Sequence, residues 1–413
     1  MKNLKIIAGL IGLLLILLIV GNLIWEPPEQ RYESTREMMD TYVTIIVYHT
    51  DEDEAKDIID DAFARMEEIN AIANRFNSST ELYQLNSKGI LENPSPDLVE
   101  MIRISVDYWN ITGGAFDITI MPLLDLWNPS SGAGPFRLFS MNQSYTENLN
   151  SANVSEDLRT IFSDNKYKLN ETPTVNVREP GQEWSVRSGG VEFEITNESS
   201  GLFVTTEAFW NVDPSTQEKY IDDTKQFVGS DKITITPGSI SIEPGMSITL
   251  DGMAKGYAVD AAIRILEKEG IDSALIDAGG DIATLGHKAN GDKWVIGLRN
   301  PENKSESVIE FGLAGKAVAS SGNYERYYDE NKSVGHIMDP STGMSVFRAS
   351  SATVIADNCT VADILATAIF VLGPVEGIKL VNELPDVETL LLGYENPQDF
   401  FRSSDVGKYE IKD

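Results

Sequence analysis

Ser247 to Asp260, SITLDGMAKGYAVD, reads as a short strand that breaks at Asp251-Gly252 and re-enters helix with Lys255 in its first turn. That junction is a place to seat a phosphate. The first N–H groups of a helix have no intrahelical acceptor, the positive end of the helix dipole lies there, and the lysine adds a full charge. The spacing GxxxxGK[ST] is absent, so this is not a P-loop, and a Gly-Lys at a helix start is by itself ordinary structure.

The stretch from Thr360 to Leu372 is the clearest helix. Val361, Ile364, Leu365, Ala368 and Leu372 form a core-facing stripe, leaving Thr360, Asp363 and Thr367 on another face. Asp363 and Thr367 stand one turn apart. Two hard oxygens so placed suit a Mg²⁺ that keeps several waters and binds substrate phosphates, although a solvated helix face gives the same pattern. Upstream, Thr41 to His49 alternates as a strand, Glu52 to Ala73 has helical periodicity, and Asp97 to Thr112 reads as a second helix closed by Gly113-Gly114. Residues 128–225 shift to Asn, Ser, Thr, Glu and Gly with short strand-like runs such as VEFEIT, and read as an insertion. After Asp231, strands and helices alternate to the end.

The 413 residues, 42% hydrophobic, provide ample core for one large or two ordinary domains. Residues 4–25 are an apolar run long enough to cross a bilayer. Its length favours a retained anchor (1–26) over a cleaved signal. Lys2 and Lys5 before it, with Glu26, Glu29 and Glu33 after it, put the body outside the cytoplasm of a single-pass membrane protein. A Pro/Glu linker (27–34) follows. A net charge of −31 argues against nucleic acid. The lone Cys359 precludes an intramolecular disulfide and a cysteine zinc cluster. Asn-x-Ser/Thr sequons, among them Asn77, Asn142 and Asn303, fit an exposed body.

AKGYAVD keeps company with Met39-Asp40-Thr41, GGAFDITIMP from Gly113, AGGDIATLG from Ala278, SSGNYERYY from Ser320, HIMDPSTG from His336 and DILAT from Asp363. In order and spacing, over residues 35 to 395, this set resembles the ApbE family of flavin transferases, which move FMN from FAD onto a protein threonine. The resemblance implies an α+β fold, a single globular unit over 35–413 with mixed sheets and helices. It implies flavin-nucleotide contacts at Met39, Phe76, Ala115, Phe116, Asp117, Lys255 and Met338. Metal ligands are implied at Asp363, Thr367 and the carbonyl of Gly252, and an active-site histidine at His336, on a loop tightened by Asp339-Pro340 and Gly343. Seen alone, Met39, Phe76, Phe116 and Met338 are ordinary core candidates, and Asp117 beside Gly-Gly is a turn residue. Ser320, Ser321 and Gly322 could present hydroxyls and N–H groups to a pyrophosphate.

Two departures stand out. The family usually reads Asp-Leu-Gly-Gly-x-Ala-Lys-Gly, so Thr249 replaces a ligand-contacting aspartate, and Asp251 appears two places later as an N-cap or a compensating contact. Ala366 stands where some relatives carry another acidic ligand. The implied function is Mg²⁺-dependent transfer of FMN from FAD to a threonine hydroxyl of a target protein, releasing AMP. The implied target is an extracytoplasmic domain of a membrane redox complex. The alternatives are an FAD pyrophosphatase giving FMN and AMP, and a tethered FAD carrier without turnover.

Overall fold

The computed structural model describes residues 28–128, 139–140, 183–188, 191–198, 201–206, 209–301, 303, 305–323, 326–329 and 331–412. The expected anchor at 1–26, with much of the 128–225 insertion, lies outside them. Eight strands form the central sheet: Gln30–Met38, Thr41–His49, Ala274–Ala278, Asp281–Leu285, Ala317–Ser321, Ala349–Ala356, Glu388–Gly393 and Phe400–Arg402. They lie side by side in chain order, and every neighbouring pair is antiparallel.

Alternate residues of these strands serve two cores, as the two-residue period of a strand requires. Ala283, Ala317, Ala319, Val354, Ala356 and Leu391 face the main core, shared with the helices Glu52–Ala73, Ala254–Lys268 and Cys359–Glu383. Their neighbours Ile282, Val318, Ile355, Leu390 and Leu392 face the opposite side, where the hairpin Trp294–Arg299/Ser307–Leu313 closes a smaller core. The alanines on the helix side let helices approach the sheet closely.

The Glu52–Ala73 helix starts where the sequence places it, because Asp51 accepts from the Glu54 N–H (3.0 Å) and three acidic residues complement the helix dipole. The helix expected at 97–112 spans Pro96–Ile111, and Gly113 and Gly114 follow with φ of 61° and 85°. Two expectations need correction, and one helix was not foreseen. A short helix, Glu81–Lys88, precedes it, fixed by the Thr80 cap and the left-handed Gly89 and too brief to show periodicity. Residues 30–34 of the expected linker are already edge strand. Residues 247–250 are not a strand; the Asn86 side chain takes both the N–H (2.7 Å) and the C=O (2.8 Å) of Ile248, and Thr249 N–H donates to the Ile118 carbonyl. A side-chain amide there replaces a strand partner.

The described part of the insertion holds a four-stranded antiparallel sheet, in which VEFEIT lies in the Val191–Glu198 strand. Its end, the Pro214–Lys225 helix, lies beside Phe209, whose ring meets Trp127 edge-on at 4.7 Å.

Among the described residues, Cys359–Glu383 is the one helix long and apolar enough to cross a membrane, but most of it is packed inside the protein. It is broken at Gly373, with φ 77° and ψ −179°, ahead of Pro374, so neither half has the ~20 residues a span needs.

A Cβ on Gly256 would lie 2.5 Å from the carbonyl oxygen of Cys359, and backbone cannot swing aside. Gly256→Ala therefore should cost about 1–3 kcal/mol in denaturant unfolding, whereas Gly238→Ala, with open space around it, should stay within about 0.5 kcal/mol of wild type.

Candidate functional site

Two tight turns stand together at one end of the central sheet. Met39 and Asp40 both have positive φ (54° and 58°), an unusual choice for non-glycine residues in a two-residue hairpin turn. The next hairpin turns through Gly279 and Gly280, and a Cβ on Gly279 would sit 2.2 Å from the Thr41 hydroxyl, so only glycine lets the turns touch. Asp281 follows directly, buried, with Lys255 Nζ at 2.6 Å from its carboxylate.

Beside this pair, two helix starts cap one another. Asp260, in the Ala254–Lys268 helix, accepts the N–H groups of Cys359 (2.7 Å) and Thr360 (2.8 Å) at the start of the Cys359–Glu383 helix, together with the Thr360 hydroxyl. Asp363, in that second helix, accepts the Gly256 N–H of the first (3.1 Å). The helix N-terminus read as open to a phosphate is thus partly taken. Burial, then the nearby Asp281, pushes the Asp363 carboxyl up to about 8 against the pull of Lys255. Burial also raises Asp281 and Asp260. It works against the Lys255 charge, but Asp281 and Asp363 outweigh it and hold that ammonium protonated.

Thr367 follows Asp363 by one turn, and its hydroxyl meets that of Ser321 at 3.1 Å. Gly252 faces the same spot: a Cβ there would lie 3.6 Å from Thr367 Oγ1 and 3.3 Å from the Phe116 ring. Gly252, Asp363, Thr367, Lys255 and Phe116 are therefore brought together. Thr360 does not share their face, because its hydroxyl turns to Asp260, and Ser320 pairs with Thr353 (2.8 Å). Asp251 is not the N-cap. The helix begins at Ala254 after Met253, without a side-chain cap, and the Asp251 carboxylate pairs with Arg75 Nη2 at 3.0 Å. Thr249 is buried and accepts the Asp251 N–H (3.2 Å).

The loop bearing His336 and Met338 is clamped from within. Asn323, buried, accepts the Ile337 N–H (3.3 Å) and donates to the Val346 carbonyl. His336 Nδ1 donates to the Arg326 carbonyl (3.0 Å), which fixes its tautomer. Met338 is buried, and Asp339 receives Arg348 Nη2 (3.1 Å). Arg348 also donates to the Val371 carbonyl, tying the loop to the helix that carries Asp363. Tyr324 and Glu325 lie outside the described residues.

Asp117 is spent internally. One carboxylate oxygen takes the Thr119 N–H (2.8 Å), the Thr119 hydroxyl (2.6 Å) and the Ser230 hydroxyl (2.8 Å). Burial raises its pKa against these bonds. Ala115 is buried beside it, while Phe76 lies at the surface. The residues that reading the sequence missed are Asp260, Asp281, Asn323, Arg348 and Arg75; Asp260, Asp281 and Asn323 lay in stretches singled out there, but without a role. A cleft of about 340 Å³ between 86–90 and 242–246 contains none of the expected site residues.

For a divalent cation, Gly252, Asp363 and Thr367 offer a carbonyl, a carboxylate and a hydroxyl. Among the described residues no group of three or more His, Cys, Asp or Glu is placed to hold a metal, so any site here leans on neutral oxygens. Hard oxygen donors of these three kinds suit Mg²⁺, which keeps waters in the rest of its shell.

The model of the ApbE family matches residues 39–191 and 137–391. The FAD:protein FMN transferase of Treponema pallidum is 34% identical over 161 residues, 36% of this chain and 44% of that protein. That of Vibrio cholerae is 32% identical over 167 residues, 39% of this chain and 50% of that protein. The matched stretches thus span about half the length of these curated relatives. Among solved structures, the ApbE protein of Thermotoga maritima superposes with a TM-score of 0.67 at 23% identity, covering 93% of this chain and 100% of that one. The flavin transferase ApbE of Vibrio cholerae gives 0.63 at 20%, covering 92% and 100%. At these identities the two structures establish the α+β fold.

Because the folded Asp363 carboxyl holds its proton to about pH 8 and an unfolded one releases it near 4, the metal-free protein should lose stability as pH rises through that interval. Asp363→Asn should flatten that slope in thermal melts of metal-stripped protein at about pH 5 and pH 8.5. Asn323→Ala leaves the Ile337 N–H without its acceptor and should cost about 1–3 kcal/mol in chemical denaturation.

Proposed function

The chain belongs to the ApbE family, and we propose that it transfers FMN from FAD to a threonine hydroxyl of a target protein. The observation that carries the reading is the meeting of Asp363, Thr367, Gly252 and Lys255 where two helices begin, since phosphoryl transfer needs positioned charge more than a covalent nucleophile.

In this reading the threonine oxygen attacks the FMN-side phosphorus of FAD. The bond from that phosphorus to the bridging oxygen breaks, AMP departs with that oxygen, and the threonine proton is lost to a base. Lys255, kept protonated by Asp281 and Asp363, faces the pyrophosphate with a permanent charge. His336, with its Nδ1 tied to the Arg326 carbonyl, is oriented to steer the incoming hydroxyl. Gly252, Asp363 and Thr367 would hold Mg²⁺, which when bound neutralises charge on the phosphates. Met39 and Phe76 supply surfaces for flat rings. Residues 4–25 anchor the protein, with the body and its target, a domain of a membrane redox complex, outside the cytoplasm.

The test is intact-mass analysis of a threonine-bearing acceptor domain incubated with the protein, FAD and Mg²⁺, with AMP measured in parallel. The acceptor should gain the mass of one FMN, and Asp363→Ala or a chelator should lower the rate by about two orders of magnitude or more. FMN and AMP without labelling of an acceptor that a known transferase labels would replace the transferase by a hydrolase. FAD bound but unconsumed would replace it by a carrier.

A further inference from the structure

At the rim of this site, Phe76 holds a large aromatic ring 71% exposed, a costly arrangement that the chain nevertheless fixes in place. Asn74 ends the Glu52–Ala73 helix and its side chain accepts the N–H groups of Phe76 (2.8 Å) and Asn77 (3.3 Å), while Thr80 bonds back to the Asn74 and Asn77 carbonyls. The Arg75 guanidinium lies 4.0 Å from the centre of the Phe76 ring and covers one face. Arg75 is itself largely buried, its side chain 17% exposed, and it is held by one bond from Nη2 to Asp251 (3.0 Å). Its Nε is buried without an acceptor, so the ring and Asp251 together set where the guanidinium lies. Asp251 adjoins Gly252, whose backbone faces Thr367.

We infer that Arg75 is a positioning residue for the nucleotide: anchored by Asp251 to the loop that leads into Gly252, it fixes the Phe76 ring as a ledge on which one flat ring of FAD stacks. The inference rests on the proposed use of FAD, and the ligand chemistry it names is a planar heteroaromatic ring, not an anion. A guanidinium suits this task because it is planar and can lie on an aromatic face while its edge hydrogen-bonds a carboxylate. The rival role for Arg75, direct attraction of the pyrophosphate, gives the opposite sign for Asp251. If Arg75 worked by free charge, removing the Asp251 charge would release it and tighten binding; if it works by position, the same change loosens binding.

The experiment is titration of the full-length protein with FAD in Mg²⁺ without any acceptor, read by flavin fluorescence, for wild type, Asp251→Asn, Arg75→Gln, Arg75→Lys and the double variant Arg75→Gln/Asp251→Asn. Asp251→Asn and Arg75→Gln should each weaken FAD binding roughly three- to ten-fold. The double variant should be no weaker than the worse single one, because both remove one unit. Arg75→Lys, which keeps the charge and loses the plane, should weaken binding as Arg75→Gln does. Melting temperatures near wild type separate this from simple loss of structure, and turnover with a competent acceptor should change in KM for FAD more than in kcat. Tighter binding by Asp251→Asn, full binding by Arg75→Lys, or no change in any variant overturns the inference. A wild type that binds FAD and labels no acceptor refutes the transferase while these comparisons still decide the ledge; a wild type that does not bind FAD ends both.

Discussion

Two helices that begin against each other, each lending the other a carboxylate, hold this protein's candidate site together. Asp260 accepts the first N–H groups of the helix bearing Asp363, and Asp363 accepts an N–H from the helix bearing Asp260. The contact is possible because Gly256 brings no side chain to the crossing. Asp363 supplies an acceptor to a helix that has no side-chain cap of its own, and Asp260 adds to the Asn358 cap of the other, which accepts the Val361 N–H (2.9 Å), so the relative placement of Lys255, Asp363 and Thr367 is set by the bonds at the helix starts.

The arrangement has an electrostatic cost. Asp281 and Asp363 are buried around one lysine, Asp260 is buried beside them against the start of the second helix, and burial raises the proton affinity of all three. A bound cation would offset that cost by favouring the ionised carboxylates that burial disfavours. The His336 loop joins the same assembly from the other side, through Arg348 and its two bonds to Asp339 and the Val371 carbonyl.

Much of this could be read from the sequence because it is local. The period of Glu52–Ala73, the alternation of Thr41–His49 and the glycines after Ile111 fix elements using neighbours a few residues away. The pairing of Asp363 with Thr367 was legible for the same reason. What escaped depends on partners far along the chain. Asp260 looks like any polar helix residue until Cys359 is placed against it, and Asp251 looks like a cap until Arg75 reaches it. Asp117 illustrates the converse: a candidate ligand contact by position, it is occupied by Thr119 and Ser230, the second of which is more than a hundred residues away.

The order of strands in the central sheet bears on how the chain comes to be folded at all. Thr41–His49 and Ala274–Ala278 are neighbours in the ladder, yet about 220 residues of chain lie between them, and everything from the first long helix to the crossing at Gly256 is contained in that excursion. Closing so large a loop is entropically slow, and during synthesis the amino-terminal hairpin must wait, with one edge unpaired, until residue 278 has left the ribosome. The charged residues along Gln30–Met38 guard only the outer edge of that hairpin. The inner edge, Val43, Ile45 and Val47 among its residues, has no strand partner until Ala274–Ala278 reaches it.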